Sequence, residues 1–318
     1  MYKLRDWMEI NKIDWFFLSQ NPNAIDLIEK NINKIYWFAL SANPNAIHLL
    51  KKNHSKVDSR CLSQNPNVIC FSEKLVDKIN WYQLSLNPNA IHLLEKNMDK
   101  IDWKGLSGNP NAIHILSKNI DKIDWINLST NPNALMLLEK NKHKIDWDML
   151  STNPNAIHLL EKNMDKIDWD MLSTNPNGIH LLEKNMDKID WYELSKNLNA
   201  IDFLEKNLNK IDWEGLSENP NAIHILSKNI DKIDWSHLSS NPNAMMLLEK
   251  NKDKKISCAG LSKNPSIFEL DYEALEKRCN IYKEELIKKA LHPCVITRYL
   301  NHPDLKDKDL DYILDNCV

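Results

Sequence analysis

Apolar residues recur along the chain at helical spacing, interrupted by proline, and the whole pattern repeats every 22 residues. The consensus of one copy is K-I-D-W-x-x-L-S-x-N-P-N-A-I-H-L-L-E-K-N-x-D. The Asn-Pro-Asn motif is centred on Pro22, Pro44, Pro66, Pro88, Pro110, Pro132, Pro154, Pro176, Leu198, Pro220 and Pro242, and a twelfth copy follows one residue late at Pro265. A short fixed period is typical of architectures in which each unit buries its apolar face against its neighbours.

Each copy carries the signals of two short helices. Asp102 precedes Trp103 as an N-cap, and Trp103 and Leu106 share one helical face. Asn109 and Pro110 then supply the N-cap and the first residue of a second helix, because the fixed φ of proline suits that position. Helices this short are marginal alone, so stacking must stabilise them. The sequence therefore predicts an all-α fold, an α-solenoid of about twelve 22-residue helix-turn-helix repeats with N- and C-terminal helical caps.

The spacing L-S-x-N also resembles leucine-rich repeats, in which a strand points its apolar residues inward at L-x-x-L-x-L. Here the second of those apolar positions is Arg60, Lys104 or Asp148 in three of the copies. The position two residues after the Asn is again Asn. Both mismatches count against leucine-rich repeats. A strand-based horseshoe is thus the less favoured alternative to the helical solenoid.

Departures from the consensus divide the chain into three parts. Residues 1–11 form a predicted N-terminal cap, residues 12–266 the tandem repeats and residues 267–318 a C-terminal helical cap. Helix pairs stacked about 8–10 Å apart predict an arc or superhelix on the order of 100 Å long. We expect its core to be a ladder of Trp, Leu and Ile.

Composition and charge exclude several classes of function. The chain has only 5 glycines, which phosphate-cradling loops require, and a net charge of −3 gives no bulk attraction to nucleic acid or anionic membranes. It contains no run approaching the roughly 20 apolar residues that span a bilayer, and its start lacks a signal-peptide core. We expect a cytosolic protein that contacts no membrane.

The tandem units N-P-N-A-I-H-L-L-E-K-N, followed by E-E-L-I-K-K-A-L-H-P at 284–293, resemble the short-repeat proteins that giant amoeba-infecting DNA viruses encode in many copies. The resemblance covers nearly the whole chain. It implies a viral protein that acts in the host cell cytoplasm, a virus factory or the virion. It implies no catalytic residue, cofactor or ligand.

A duplication inside the chain separates framework from variable positions. Residues 100–142 and 210–252 are the same 43-residue text with six differences. The differences are Lys104/Glu214, Gly108/Glu218, Ile126/Ser236, Asn127/His237, Thr130/Ser240 and Leu135/Met245. Five of the six fall in consensus x positions. Selection for binding would produce this concentration of differences, and so would neutral drift at the surface. Copies 144–165 and 166–187, by contrast, differ only at Ala156/Gly178.

The first and third x positions lie at i and i+4 of the first helix, away from its Trp/Leu face. Aligned across stacked copies, they predict one exposed surface, which we call the strip. Its candidate partner-binding residues are Phe16, Gln20, Phe38, Arg60, Tyr82, Leu86, Lys104, Ile126, Asp148, Asp170, Tyr192 and Glu214. The N-terminal half of the strip is apolar and aromatic, as interface anchors are, whereas the C-terminal half is acidic and polar.

Histidine recurs in the second helix, for example at His92 and His114, but we expect copies to hold these side chains about 10 Å apart, too far to share a zinc ion. The chain contains no H-E-x-x-H, G-x-S-x-G or P-loop motif. We therefore expect no metal, no cofactor and no enzymatic activity.

These observations favour a monomeric, non-catalytic repeat scaffold that binds a host or viral protein during infection. One alternative is a helical repeat protein that reads single-stranded RNA through variable side chains. The acidic residues Asp148, Asp170 and Glu214 in the strip count against nucleic acid as the partner. A structural component of the virion or virus factory is the other alternative, and it requires self-association.

Overall fold

The structure, a computed structural model, describes residues 1–68, 79–293 and 296–297. Two compact units divide the chain: one is Leu4–Glu269, and the other joins Met1–Lys3 to the segment that begins at Leu270. The predicted all-α repeat architecture is confirmed. The L-S-x-N segments lie in helices, so the strand-based horseshoe is wrong.

The first helices of the twelve copies are Trp15–Gln20, Trp37–Ser41, Ser59–Leu62, Trp81–Leu86, Trp103–Gly108, Trp125–Thr130, Trp147–Ser151, Trp169–Thr174, Trp191–Lys196, Trp213–Glu218, Trp235–Leu238 and Cys258–Lys263. The described second helices are Ile25–Lys30, Ile47–Lys52, Ile91–Glu95, Ile113–Leu116, Leu135–Lys140, Ile157–Glu161, Ile179–Glu183, Ile201–Glu205, Ile223–Lys228 and Met245–Lys250. Single 3-10 turns connect them at Ile10–Lys12, Pro22–Ala24, Pro44–Ala46, His54–Lys56, Pro88–Ala90, Ile120–Lys122, Lys142–Lys144, Met164–Lys166, Met186–Lys188, Pro220–Ala222, Ile230–Lys232 and Pro265–Ile267. Strands β1 (Tyr2–Leu4) and β2 (Phe268–Leu270) pair with each other, and a C-terminal helix spans Tyr272–Ala290.

The buried serine of each first helix links one copy to the next. Asp102 caps its helix by accepting a bond from the backbone N–H of Gly105 at 2.8 Å. Ser107 Oγ donates to the carbonyl of Trp103 at 2.7 Å and accepts from the backbone N–H of Asp124 in the following copy at 3.0 Å. The Ser107 hydroxyl therefore both donates and accepts a hydrogen bond, so this buried polar group is satisfied.

The first Asn of each Asn-Pro-Asn motif forms a second link. Asn131 is fully buried, and its Oδ1 accepts from the backbone N–H of Asn133, which caps the turn. Its Nδ2 donates to the carbonyls of Ser107 and Asn109 in the preceding copy, at 3.0 and 2.9 Å. The second Asn of the motif, Asn133, donates to Pro110 O at 2.9 Å. A ladder of amides thus runs through the stack, and the same side chains cap the turns.

The same bonds join the twelfth copy to the first. Asp14 donates its backbone N–H to Ser262 Oγ at 2.9 Å, and Asn21 Nδ2 donates to the carbonyls of Ser262 and Asn264 at 3.0 Å. The unit Leu4–Glu269 therefore closes into a ring. The predicted arc or superhelix on the order of 100 Å long is wrong, because the small turn between successive copies adds up to one full revolution over twelve of them.

The segment predicted as an N-terminal cap lies at this closure. The backbone N–H of Arg5 donates to Ile267 O at 3.0 Å and its Nε to Ser266 O at 2.8 Å. Ile10–Lys12 then forms a 3-10 turn before the first copy, just as Ile120–Lys122 does before a later one. The N-terminal segment therefore bonds to the end of the twelfth copy, where the sequence no longer follows the consensus.

The core differs from the predicted Trp, Leu and Ile ladder in the position of tryptophan. Leu106 and Ala112 are fully buried and Ile123 is buried, whereas Trp103 is only half-buried. Lys122 Nζ of the next copy lies 4.7 Å from the centroid of the Trp103 ring, and this cation–π contact recurs around the ring. The invariant Lys of K-I-D-W therefore covers the tryptophan of its neighbour.

First helices of neighbouring copies pack directly against each other. At Gly105 the approach is so close that an added Cβ would lie 2.6 Å from the carbonyl oxygen of Tyr82. Second helices of neighbouring copies pack much less closely and meet through long side chains such as His114 and Glu95. In a closed ring the more closely spaced layer must be the inner one. The first helices therefore line the inner circumference.

The part of the chain that follows the repeats begins with strand β2. In the second unit, Asp271 accepts from the backbone N–H of Ala274 at 3.0 Å and caps the C-terminal helix. The predicted cap at 267–318 extends beyond residue 297, and that remainder lies outside the described residues.

Candidate functional site

All twelve strip residues are described, and they lie on the surface. Gln20, Phe38, Arg60, Lys104, Ile126, Asp148, Asp170 and Glu214 are exposed, whereas Phe16, Tyr82, Leu86 and Tyr192 are half-buried. They project from the side of each first helix opposite its buried Leu, and successive first helices lie side by side. Because these helices form the inner layer, the strip faces the opening of the ring.

Aromatic side chains meet at the first two copies. The ring of Phe16 packs edge-to-face against Phe17, with centroids 5.1 Å apart, and against Tyr36, with centroids 5.6 Å apart. Phe38 follows on the next helix and is 47% exposed. We call Phe16, Phe17, Tyr36 and Phe38 the aromatic cluster. Edge-to-face pairing orders the rings of Phe16, Phe17 and Tyr36, and Phe38 lies beside them with its ring open to solvent.

Tyr36 was not predicted as a site residue, and it stands where the consensus has the capping Asp. Among the first helices that the structure describes, Trp37–Ser41 alone begins without a side-chain N-cap bond. Loss of such a cap costs on the order of 1 kcal/mol. The side chain that replaces it is 54% exposed. The sequence signal was the text K-I-Y-W at 34–37.

The acidic half of the strip contains a histidine held among three carboxylates. His237 Nε2 lies 3.3 Å from Glu214 Oε1 and 3.9 Å from Glu218 Oε1, and Nδ1 lies 2.9 Å from Asp234 Oδ1. Burial opposes protonation of His237, but the contact with Asp234 and the charges of Glu214 and Glu218 outweigh it and raise the imidazole pKa above its ordinary value. We call these four residues the His237 cluster.

Three of the six differences within the duplicated text meet in this cluster. Where Glu214, Glu218 and His237 stand, the earlier copy has Lys104, Gly108 and Asn127. Together these changes remove one lysine and add two carboxylates and one imidazole, so this part of the strip is more acidic than the earlier copy. These positions lie up to 23 residues apart in the sequence, and only the contact between neighbouring copies brings them together.

The recurrent histidines of the second helices pair with glutamates of the preceding copy. His114 Nε2 lies 2.9 Å from Glu95 Oε1, and the same contact joins His158 to Glu139 at 3.0 Å. The hydrogen bond with His158 lowers the pKa of the Glu139 carboxyl. The described part of the chain contains no group of three or more His, Cys, Asp and Glu side chains placed to hold a metal ion. Because these contacts join second helices, the histidines link neighbouring copies on the outer side of the ring.

No protein-family model, curated protein or solved structure matches this chain. The resemblance to viral short-repeat proteins therefore stays a prediction from the repeat text. In the described ranges, no helix has both the length and the apolar character needed to cross a bilayer.

Proposed function

We propose that this protein is a non-catalytic repeat scaffold that binds a partner protein through the strip on the inner side of its ring. The aromatic cluster carries the proposal. Helix Trp37–Ser41 has Tyr36 in place of a capping Asp, and the rings of Tyr36 and Phe38 are exposed at its start. Large aromatic side chains of this kind dominate binding energy at protein interfaces. The His237 cluster adds support, because three of the six differences within the duplicated text lie in contact with one another on the strip.

Two features argue against the alternative functions. A single-stranded RNA in the ring would bring its phosphates close to the carboxylates of Asp148, Asp170 and Glu214, which would repel them. Self-assembly by stacking copies end to end requires a free terminal repeat, yet the Asn21–Ser262 bond occupies that interface within one chain. We therefore retain a monomer as the working state, with a partner from the host or the virus in the infected cell's cytoplasm.

Capture from host-cell lysate tests the scaffold function. The tagged full-length protein is incubated with lysate, with and without nuclease, and retained proteins are identified by mass spectrometry. The triple variant Phe16→Ser, Phe38→Ser, Tyr82→Ser should lose a nuclease-resistant protein partner and still unfold cooperatively on heating.

A matched control removes apolar residues elsewhere. Ile32, Met98 and Met136 are 39%, 40% and 71% exposed and lie off the strip. Replacing all three with Ser should leave the partner bound. Equal retention by the Phe16/Phe38/Tyr82 variant, or retained material that disappears with nuclease, would overturn the proposal.

A further inference from the structure

The aromatic and acidic parts of the strip lie opposite each other in the ring. Phe16 and Phe38 belong to the first and second copies, and Asp148 and Asp170 belong to the seventh and eighth. Six copies are half of twelve, so closure places Phe16 across the opening from Asp148, and Phe38 across from Asp170. The inner surface therefore has one apolar arc, which begins at the aromatic cluster and runs to Ile126 of the sixth copy, and one acidic arc.

The opening has the width of a small helical element. Twelve inner helices about 8–10 Å apart place opposite helix axes about 30–40 Å from each other. Each helix with its side chains takes up about 5–6 Å on its inner side, which leaves on the order of 20 Å when the spacing is at its narrow end. The close approach at Gly105 favours that narrow end. The exposure of Phe38 and Ile126, 47% and 54%, shows that the strip side chains do not fill this space themselves.

We propose that the ring receives one amphipathic α-helical segment of a partner protein, with its apolar side on the aromatic arc and Lys and Arg side chains reaching toward Asp148 and Asp170. This inference rests on the proposed scaffold function and specifies the chemistry of the partner. An α-helix is about 10–12 Å across, and long cationic side chains extend beyond that width. Its backbone bonds are satisfied internally, so it can enter the opening without needing backbone partners from the ring.

The remaining strip charges fix how this helix is turned. Glu214 and Glu218 add two carboxylates in the tenth copy, separated from Asp170 by Tyr192 and Lys196 of the ninth. Arg60 and Lys104, both exposed, lie on the other half of the ring among the apolar residues. A helix rotated by half a turn would bring its cations against Arg60 and Lys104 and its apolar side against carboxylates. Charge complementarity therefore favours one rotational setting.

Binding of a designed probe tests the chemistry. The probe is a fluorescent helical peptide of about 18 residues, long enough to pass through the ring, with Leu on one face and Lys on the other. Fluorescence anisotropy with the full-length protein should show binding that weakens with salt. Asp148→Asn with Asp170→Asn should weaken it about 10-fold and flatten the salt dependence, and Phe16→Ser with Phe38→Ser should weaken it by a similar factor.

Two controls separate the acidic arc from general charge. Asp165 and Asp187 are exposed acids of the same two copies, located in the turns Met164–Lys166 and Met186–Lys188. Replacing both with Asn changes the net charge equally and should leave binding within about 2-fold. A peptide with Glu in place of Lys should not bind. An equal loss in the Asp165/Asp187 variant, or equal binding of the Glu peptide, would overturn the inference.

Passage through the opening has its own test. A probe fused to a folded protein at one end can still thread the ring, whereas a probe fused at both ends cannot. The doubly fused probe should therefore associate at least about 100-fold more slowly. Equal association rates would overturn the ring site. If the lysate partner depends on Phe16 and Phe38 but no helical probe binds, the inference fails while the scaffold function stands.

Discussion

Asn21 donates from Nδ2 to the backbone carbonyl of Ser262 at 3.0 Å, across 241 residues of chain. The equivalent bond between neighbouring copies, from Asn43 to Ser19, also measures 3.0 Å and spans 24 residues. The closure of the ring is therefore chemically the same as any internal interface. Open solenoids need polar end caps to protect their terminal repeats, and here each end of the stack covers the other.

The amide ladder should dominate the stability of each interface. In Asn153→Ala, the carbonyl of Ser129 and the backbone N–H of Asn155 lose their partner, and the carbonyl of Asn131 keeps only the bond from the backbone N–H of Ala134. Buried polar groups left unpaired cost about 1–3 kcal/mol each, so we expect a loss of roughly 3 kcal/mol in the free energy of unfolding. Urea denaturation followed by tryptophan fluorescence measures it.

The second Asn of the same motif is the matched control. Asn155 is exposed and donates one side-chain bond, to Pro132 O at 2.8 Å. Asn155→Ala should therefore cost only about 1 kcal/mol, since water replaces that bond. Equal effects of Asn153→Ala and Asn155→Ala would show that burial of the first amide is unimportant.

Closure of the ring predicts the behaviour of the first copy. Asn21→Ala removes bonds to Ser262 and Asn264 and should destabilise the protein as much as Asn153→Ala does. In an open solenoid the first copy would have no preceding neighbour, and Asn21→Ala would cost only its turn cap, about 1 kcal/mol. The comparison of the two variants in urea distinguishes these cases.

The sequence predicted what each copy does by itself. Asp102 as a cap and Lys104 at the surface follow from local spacing. Pro110 as the first residue of the second helix is wrong, because Pro110 begins a separate turn and the helix starts at Ile113. Closure of the ring could not be predicted. The rotation of about 30° between successive copies arises from packing between them, and no residue pattern within one 22-residue copy specifies it. The meeting of Glu214 with His237 depends on the same packing, which brings residues 23 apart into contact.

Two glycines in similar text should respond oppositely to alanine. A Cβ at Gly105 would meet the carbonyl of Tyr82 at 2.6 Å, and backbone there cannot move without separating two inner helices. Gly105→Ala should therefore cost about 1–3 kcal/mol. Thermal unfolding of the variant checks this, and an unchanged melting temperature would contradict the close packing.

Gly178 stands where nearly every other copy has a buried Ala, and its backbone is right-handed helical, with φ −82° and ψ −7°. A Cβ there would lie 2.8 Å from Leu172 Cδ1, 3.0 Å from its Cγ and 3.1 Å from its carbonyl oxygen, and the otherwise identical copy accommodates the same Cβ at Ala156. Gly178→Ala should stabilise the protein by about 0.5–1 kcal/mol, because alanine restricts the unfolded chain. Ala156→Gly in the otherwise identical neighbouring copy should lose a similar amount, and a destabilising Gly178→Ala would refute this account.

The His237 cluster predicts a pH dependence of known sign. Because Asp234, Glu214 and Glu218 raise the pKa of folded His237 above 6.5, the folded state binds its proton more tightly than the unfolded chain. That contribution to stability is fully present below pH 6.5 and is lost as pH rises through the folded pKa.

An NMR titration of the His237 imidazole should give a midpoint above 6.5. The double variant Glu214→Lys, Glu218→Gly should lower that midpoint toward 6.5. In His237→Asn, which restores the residue found at Asn127, this part of the pH dependence of unfolding should disappear. A wild-type midpoint below 6.5 would mean that burial outweighs the three carboxylates.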